Sequence, residues 1–300
     1  MRSSRVGQGM LAALVMMFIW SGWLVVTKWG VSHSLSNLDI MLLRFGTATL
    51  IMLPYILKIG FKSVLEKFKM KTLIAGFACG TPYLWFSFIG MKSASTAHAG
   101  AIVNGSLPVF TVILMYIFTK NFPNIMQLIG IGFILLANVF LLYGEDFIGM
   151  SLSYAAFLAA GFSLSLYTVI AKNWEIKAKD ILVVSPLLNC MVIFPIWYFS
   201  ESNIASAPMN EIITQAAYQG VLVSVIALWL MSFSLKHITA YSFSFIMALV
   251  PINAALMAYA FLEEELTLSI LLGITNCTIG IIIFNAQTVF QKIKGLLQKK

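Results

Sequence analysis

Arg44 is the one formal charge placed well inside an apolar stretch of this sequence. A guanidinium in such surroundings costs about 2.5–3.5 kcal/mol on insertion scales, so it is expected to face protein or water. It lies about 10 Å from the nearer end of its stretch at helical rise. Two uses fit it. It can be an anchor that reaches toward Asp39 and the acids near that end, or it can hold the carboxylate of a small solute. Asn104, Pro108 and Pro251 form a second group. A proline within a helix removes the hydrogen bond to the carbonyl four residues earlier. Here that frees the carbonyls of Asn104 and Met247, and the Asn104 amide adds a donor and an acceptor at the same depth. Aromatic rings are the third group. Trp20, Tyr83, Trp85, Tyr167, Trp229 and Tyr241 lie within apolar stretches and can hold an organic cation or an apolar side chain by stacking or cation–π attraction.

His98 stands about one turn below a helix end and is expected to be hydrated; its other use is to gate or couple a proton near neutral pH. The candidate binding set is therefore Trp20, Arg44, Tyr83, Trp85, His98, Asn104, Tyr167, Trp229 and Tyr241, with Asn189 and Asn253 as further mid-depth polar groups. Ala97, Ala101 and Gly105 recur at four-residue spacing, which lets another helix approach closely and points to packing. Glu263, Glu264 and Glu265 are expected to begin a solvated loop, with a funnel for cations or protons as the alternative. The set holds no catalytic group. Cys79, Cys190 and Cys277 fall in three different apolar segments, and His33, His98 and His237 lack an H-E-x-x-H spacing, so neither a metal site, a cofactor nor an enzyme is expected.

The elements that must position these residues follow from composition. Of the 300 residues 60% are apolar and 10% charged, against about 45–50% and about 25% in soluble domains. Lipid is the solvent that tolerates such a chain. The net charge of +8 is spread over short loops between apolar runs, with no basic face interleaved with aromatics, so nucleic acid is not an expected partner. Spanning a hydrocarbon core takes about 20 residues. Such runs occur near 9–29, 37–58, 72–91, 95–119, 125–143, 148–171, 180–199, 212–235, 239–262 and 266–289. They must be helices, because lipid-exposed backbone has to satisfy its own hydrogen bonds. The first follows Arg2 and Arg5 but lacks a small-x-small exit, so it is read as a retained helix rather than a signal peptide.

Ten spans with the N-terminus inside collect Arg2, Arg5, Lys58, Lys62, Lys67, Lys69, Lys71, Lys120, Lys172, Lys177, Lys179, Lys236, Lys292, Lys294, Lys299 and Lys300 on the cytoplasmic side. The opposite loops keep only Lys92, while Lys28 lies near an outer helix end. That asymmetry sets the orientation. It predicts a protein of the cytoplasmic membrane with both termini cytoplasmic.

The two halves repeat each other at a shift of 141 to 144 residues. Asp39-Ile40 and Pro54 match Asp180-Ile181 and Pro195; Gly76, Leu84-Trp85 and Lys92 match Gly220, Leu228-Trp229 and Lys236. Pro108, Tyr116 and Phe118 match Pro251, Tyr259 and Phe261; Leu128 and Gly130 match Leu271 and Gly273; Ser21 and Lys28 match Ser165 and Lys172. Five helices per copy is odd, so the second copy enters the membrane from the opposite side, a plan of secondary transporters with the substrate site near the midplane. The repeats are placed at 1–145 and 146–300, the second carrying a basic tail.

Over residues 8–290 the chain resembles the drug/metabolite transporter superfamily in its ten-helix EamA-type branch. The resemblance rests on Phe18-Ile19-Trp20-Ser21-Gly22 with Lys28, on Leu43-Arg44-Phe45, and on Ser93–Pro108 with Leu107-Pro108. It also rests on Ala260-Phe261-Leu262-Glu263 and Glu265-Leu266-Thr267 leading to Gly273. It implies transport of small metabolites, with amino acids and related compounds foremost; the inverted repeat itself predicts alternating access, with a zwitterionic or amphiphilic metabolite held in an aromatic, mostly uncharged cavity between the copies. The resemblance also implies a central cavity lined mainly by helices 1, 3, 4, 6, 8 and 9. The first copy departs from the pattern at Lys120-Asn121, where an acidic residue is usual. The expected partners are a small-molecule substrate, coupled to protons or exchanged for another metabolite, and membrane lipids, with the chain a monomer or weak dimer. A channel or a translocator of lipids or isoprenoid carriers is the alternative function, and an intramembrane enzyme a more distant one.

Overall fold

The computed structural model describes residues 2–120, 122–143, 147–238, 243 and 246–297. Among them all regular structure is helical. In chain order the helices are α1 (Arg2–Val31), α2 (Asn37–Ile59), α3 (Phe61–Leu65), α4 (Met70–Ala78), α5 (Thr81–Ser93), α6 (Thr96–Thr119) and α7 (Ile125–Leu142). They continue as α8 (Phe147–Asn173), α9 (Ala178–Tyr198), α10 (Met209–Gln215), a π-helix (Ala216–Ile226), α11 (Ala227–His237), α12 (Val250–Leu262) and α13 (Leu268–Leu297). Nine helical stretches among the described residues are long and apolar enough to cross a membrane, and α12 is a shorter apolar helix. The chain is an all-α membrane protein with the ten-helix plan. The early part of the ninth span lies partly outside the described residues.

Local chemistry sets the helix starts. Ser36 caps α2 by accepting from the Asp39 N–H at 3.1 Å while Asp39 accepts from the Ser36 N–H at 2.9 Å, so two otherwise unpaired donors are satisfied reciprocally. Asn124 and Gln127 do the same for α7. Two spans depart from a continuous α-helix. The third is split between α4 and α5 at Cys79 and Gly80, just before Pro82. The eighth widens into the π-helix. At the repeat shift of 144 that aligns Gly76 with Gly220, the split falls opposite Val223 and Ser224, inside the π segment.

Pro251 is not within a helix as expected. It occupies the first turn of α12, behind a turn at residues 248–249. An N–H is not needed at that position, so the interruption precedes the proline and the expected vacancy at Met247 is not created by it. Pro108 does lie inside α6.

The chain folds as two compact units that cut across the sequence halves. One comprises Met1–Val25, Ser95–Ser151 and Ala227–Lys300; the other comprises Val26–Ala94 and Leu152–Ile226. Within the first, α7 and α13 touch backbone to backbone. A Cβ on Gly130 would stand 2.7 Å from the Gly280 carbonyl oxygen, and one on Gly280 equally close to that of Gly130. The small stripe on α6 serves packing. A Cβ on Gly105 would meet Cys277 Sγ of α13 at 3.1 Å, and that thiol donates to the Ala101 carbonyl at 3.4 Å. Within the second unit, Ala75, Ile170 and Ile181 form a buried cluster joined by Cys79, Tyr167 and Trp174, and the Phe157 ring lies against Gly90.

Candidate functional site

In the second unit, α2 carries Arg44 to the π-helix. Arg44 Nη1 donates to Gln219 Oε1 at 3.0 Å. Gln219 Nε2 donates to Thr27 Oγ1 and to Gln215 Oε1, both at 3.1 Å, and Gln215 Nε2 donates to the Val26 carbonyl at 2.9 Å. Thr27, Gln215 and Gln219 are all fully buried. A buried amide left unpaired costs about 1–3 kcal/mol, and this chain of bonds avoids that while fixing the direction of the guanidinium. The π register is itself supported: Ser224 Oγ donates to the Gln219 carbonyl five residues back, at 2.8 Å. Short π segments recur at functional positions in helices.

The expected reach of Arg44 toward Asp39 does not occur. The carboxylate of Asp39 is buried among other donors: Trp197 Nε1 and Ser202 Oγ at 2.7 Å, the Ser36 N–H at 2.9 Å and the Asn203 N–H at 3.1 Å. Those bonds tie the start of α2 to the end of α9 and the loop after it, and satisfy the acid locally.

Two other residues lie near Arg44, and a third lies near one of those two. Tyr83 and Cys79 lie within electrostatic range of the guanidinium, and Tyr167 within that of the Cys79 thiol. Trp85, on α5 with Tyr83, is 39% exposed. The split between α4 and α5 lies beside this group, and side chains answer three of the backbone groups at it, the Thr81 N–H and the carbonyls of Gly76 and Ala78. Pro82 has no N–H for the Ala78 carbonyl, which instead accepts from Ser163 Oγ at 2.8 Å. Asn189, fully buried on α9, accepts from the Thr81 N–H at 2.7 Å and Thr81 Oγ1 at 2.8 Å. Its Nδ2 donates to the carbonyls of Gly76 at 2.9 Å and Ser185 at 2.7 Å. Asn189 is thus a clamp on the break.

The remaining candidates belong to the first unit, and Tyr241 lies outside the described residues. His98 is buried rather than hydrated: Nδ1 is 2.6 Å from Ser95 Oγ and Nε2 is 3.2 Å from the Leu141 carbonyl. The neutral tautomer with hydrogen on Nε2 fits both contacts. Asn104 is half-buried and donates to the Gly100 carbonyl of its own helix at 2.7 Å. Trp20 is half-buried beside Ser21, whose hydroxyl donates to the Met17 carbonyl at 2.9 Å. Trp229 is 62% exposed and stacks on Phe233 at 5.7 Å between centroids. Among the described residues the Asn253 side-chain amide makes a long contact to Met257 Sδ, 3.5 Å. Glu263 and Glu265 are exposed as expected, but Glu264 turns back to cap α6. Its carboxylate accepts from the Thr96 N–H at 2.8 and 3.0 Å and from Thr96 Oγ1 at 2.8 Å.

Gln215 and Gln219 are absent from the candidate set, although two amides four residues apart within a predicted span need buried partners. Gly80-Thr81-Pro82, the glycine and proline pair that breaks the third span, is likewise absent beside Pro108 and Pro251.

The family model of the EamA-like transporter family matches residues 7–143 and again 151–286. No curated protein matches the sequence. A solved structure described only as "Crystal structure of protein" is similar over 96% of this chain and 99% of that chain, with a TM-score of 0.64 and 15% identity, a likeness of fold.

Proposed function

Because the chain belongs to the EamA-like transporter family, we propose that it is a secondary carrier that moves an amino acid or a related zwitterionic or amphiphilic metabolite by alternating access. Transport of small molecules follows from the family; the substrate class joins what the family resemblance implies to the chemistry of Arg44, and the mechanism rests on the inverted repeat. The observation that carries the reading is Arg44, oriented by Gln219 from the π-helix and neighboured by Tyr83. A guanidinium presents a planar fork that matches a carboxylate, and an amide orients it without adding a charge.

In this reading Arg44 holds the solute carboxylate, and the rings of Tyr83, Trp85 and Tyr167 hold its apolar part. The interrupted third and eighth spans are where helices yield as access alternates. Protons or a second metabolite provide the coupling. The carrier works in the cytoplasmic membrane with both termini cytoplasmic. Trp20, His98, Asn104 and Trp229, in the other unit, form a second set to be tested separately.

Counterflow tests it. Proteoliposomes preloaded with unlabelled amino acids, but not those preloaded with amines or nucleosides, should accumulate labelled amino acids, saturably and without ATP. Arg44→Gln should erase the preference for an amino acid over its decarboxylated analogue. A charge-assisted bond worth about 1.5–3 kcal/mol makes that preference roughly 10- to 100-fold. Equal discrimination by both proteins removes Arg44 from the site. Failure of folded protein to accumulate any amino acid removes the substrate class.

A further inference from the structure

One end of the second unit bears a face that transport leaves unused. Helix α2 stops at Gly60, whose φ of 80° suits glycine, and the chain restarts as the short α3. There Val64 is buried while Phe61 and Leu65, one turn apart, are 76% and 54% exposed. Around these apolar tips Lys58, Lys62, Lys69 and Lys71 are exposed. A connection more than 100 residues later joins the same face. Lys67 ion-pairs with Asp180, and the Lys71 ammonium stands 5.5 Å from the centre of the Trp174 ring. That connection adds exposed Lys172, Lys177 and Lys179. Residues 58–71 and 172–180 together hold eight lysines against Glu66, Glu175 and Asp180, so 8 − 3 leaves five positive charges.

Both connections run directly between spans, Asn37–Ile59 to Met70–Ser93 and Met150–Asn173 to Ala178–Tyr198. The face therefore lies at the level of lipid headgroups, where tryptophan is favoured. Water alone suits the lysines and not Phe61 or Leu65; hydrocarbon alone suits the reverse. We propose that this face docks anionic phospholipid, the lysines holding headgroup phosphates while Phe61 and Leu65 enter the acyl region. Clustered lysines beside a span attract anionic headgroups, each contributing about fivefold in affinity, and apolar side chains among them add burial.

Native mass spectrometry of the full-length protein tests this, with phosphatidylglycerol and phosphatidylcholine of equal chain length as probes. The wild type should retain phosphatidylglycerol at least tenfold better, with the preference shrinking as ionic strength rises. A triple variant, Lys62→Gln, Lys69→Gln and Lys172→Gln, should bring the two lipids to near equality. The matching triple Lys→Arg should keep the preference. Phe61→Ser with Leu65→Ser should weaken both lipids alike. All these side chains are exposed, so a shared thermal midpoint is expected and checks folding. Equal retention of both lipids by the wild type overturns the proposal. So does an equal loss on Lys292→Gln with Lys294→Gln, which would make the effect one of net charge.

Discussion

Replacing Asn189 or Gly80 tests whether the break in the third span is held by one amide. In Asn189→Ala the Thr81 N–H and hydroxyl lose the acceptor they share, and the Gly76 carbonyl keeps only Ser185 Oγ, at 3.0 Å, and a long contact from Cys79 Sγ. One orphaned buried N–H costs about 1–3 kcal/mol, and the weakened hydroxyl and carbonyl add to it, so a loss of about 2–4 kcal/mol is expected. Gly80→Ala attacks the same contact from the other side. A Cβ there would stand 2.2–2.3 Å from three atoms of the Asn189 amide, well inside any van der Waals distance. The amide must move, and the same hydrogen bonds are lost, so a similar penalty is expected. In the double variant the amide is already gone and the methyl has room. The combined loss should then stay near that of Asn189→Ala instead of doubling. Equilibrium unfolding of the four proteins in mixed detergent measures the cycle. Additive penalties would refute the reasoning: Gly80 and Asn189 would then act independently, and the break would be held by Pro82 and Ser163 alone.

Three further outcomes follow from the packing. Gly130→Ala and Gly280→Ala each place a methyl 2.7 Å from a backbone carbonyl across the α7–α13 crossing. Either should cost roughly 1–3 kcal/mol or more, visible as a lowered thermal midpoint; an unchanged midpoint would mean the helices separate freely. Glu264→Ala leaves the Ser95 cap of α6 in place but removes the acceptor of the Thr96 N–H and hydroxyl and should cost about 1–2 kcal/mol, with Glu264→Gln milder; equal effects would deny the carboxylate its role. Lys67 and Asp180 are 17% and 22% exposed, and Asp180→Asn should change stability by no more than about 1 kcal/mol in the same unfolding assay. A larger loss would mean the pair is shielded from solvent.

Much of the architecture could be read from residue order because it depends on quantities that add along the chain. A run of apolar residues long enough for the bilayer is a span whatever it packs against. The recurrence of Gly76, Leu84 and Trp85 at Gly220, Leu228 and Trp229 exposes the duplication without coordinates. The stripe Ala97, Ala101, Gly105 announced a close helix contact, and Cys277 fills it. Pro82 was legible as a break in principle, since a missing N–H is a local fact.

The site was less legible. Asp39 was a reasonable partner for Arg44 by sequence distance, but the loop after α9 brings Ser202 and Asn203 to Asp39 and leaves Arg44 to Gln219. Depth alone puts His98 in water, yet the Leu141 carbonyl and Ser95 enclose it. The π-helix has no local announcement at all: Ala216–Ile226 contains neither proline nor a glycine pair. Its register is supported by side chains whose partners come from α1 and α2.

The sequence by itself determined the solvent, the number of crossings and the duplication, since transfer of apolar residues into lipid is a sum over neighbours in the chain. Only the tertiary structure decided which polar groups meet. A hydrogen bond is made or lost within a few tenths of an ångström. The partners Arg44 and Gln219, or Thr81 and Asn189, stand more than 100 residues apart, beyond the reach of any local pattern.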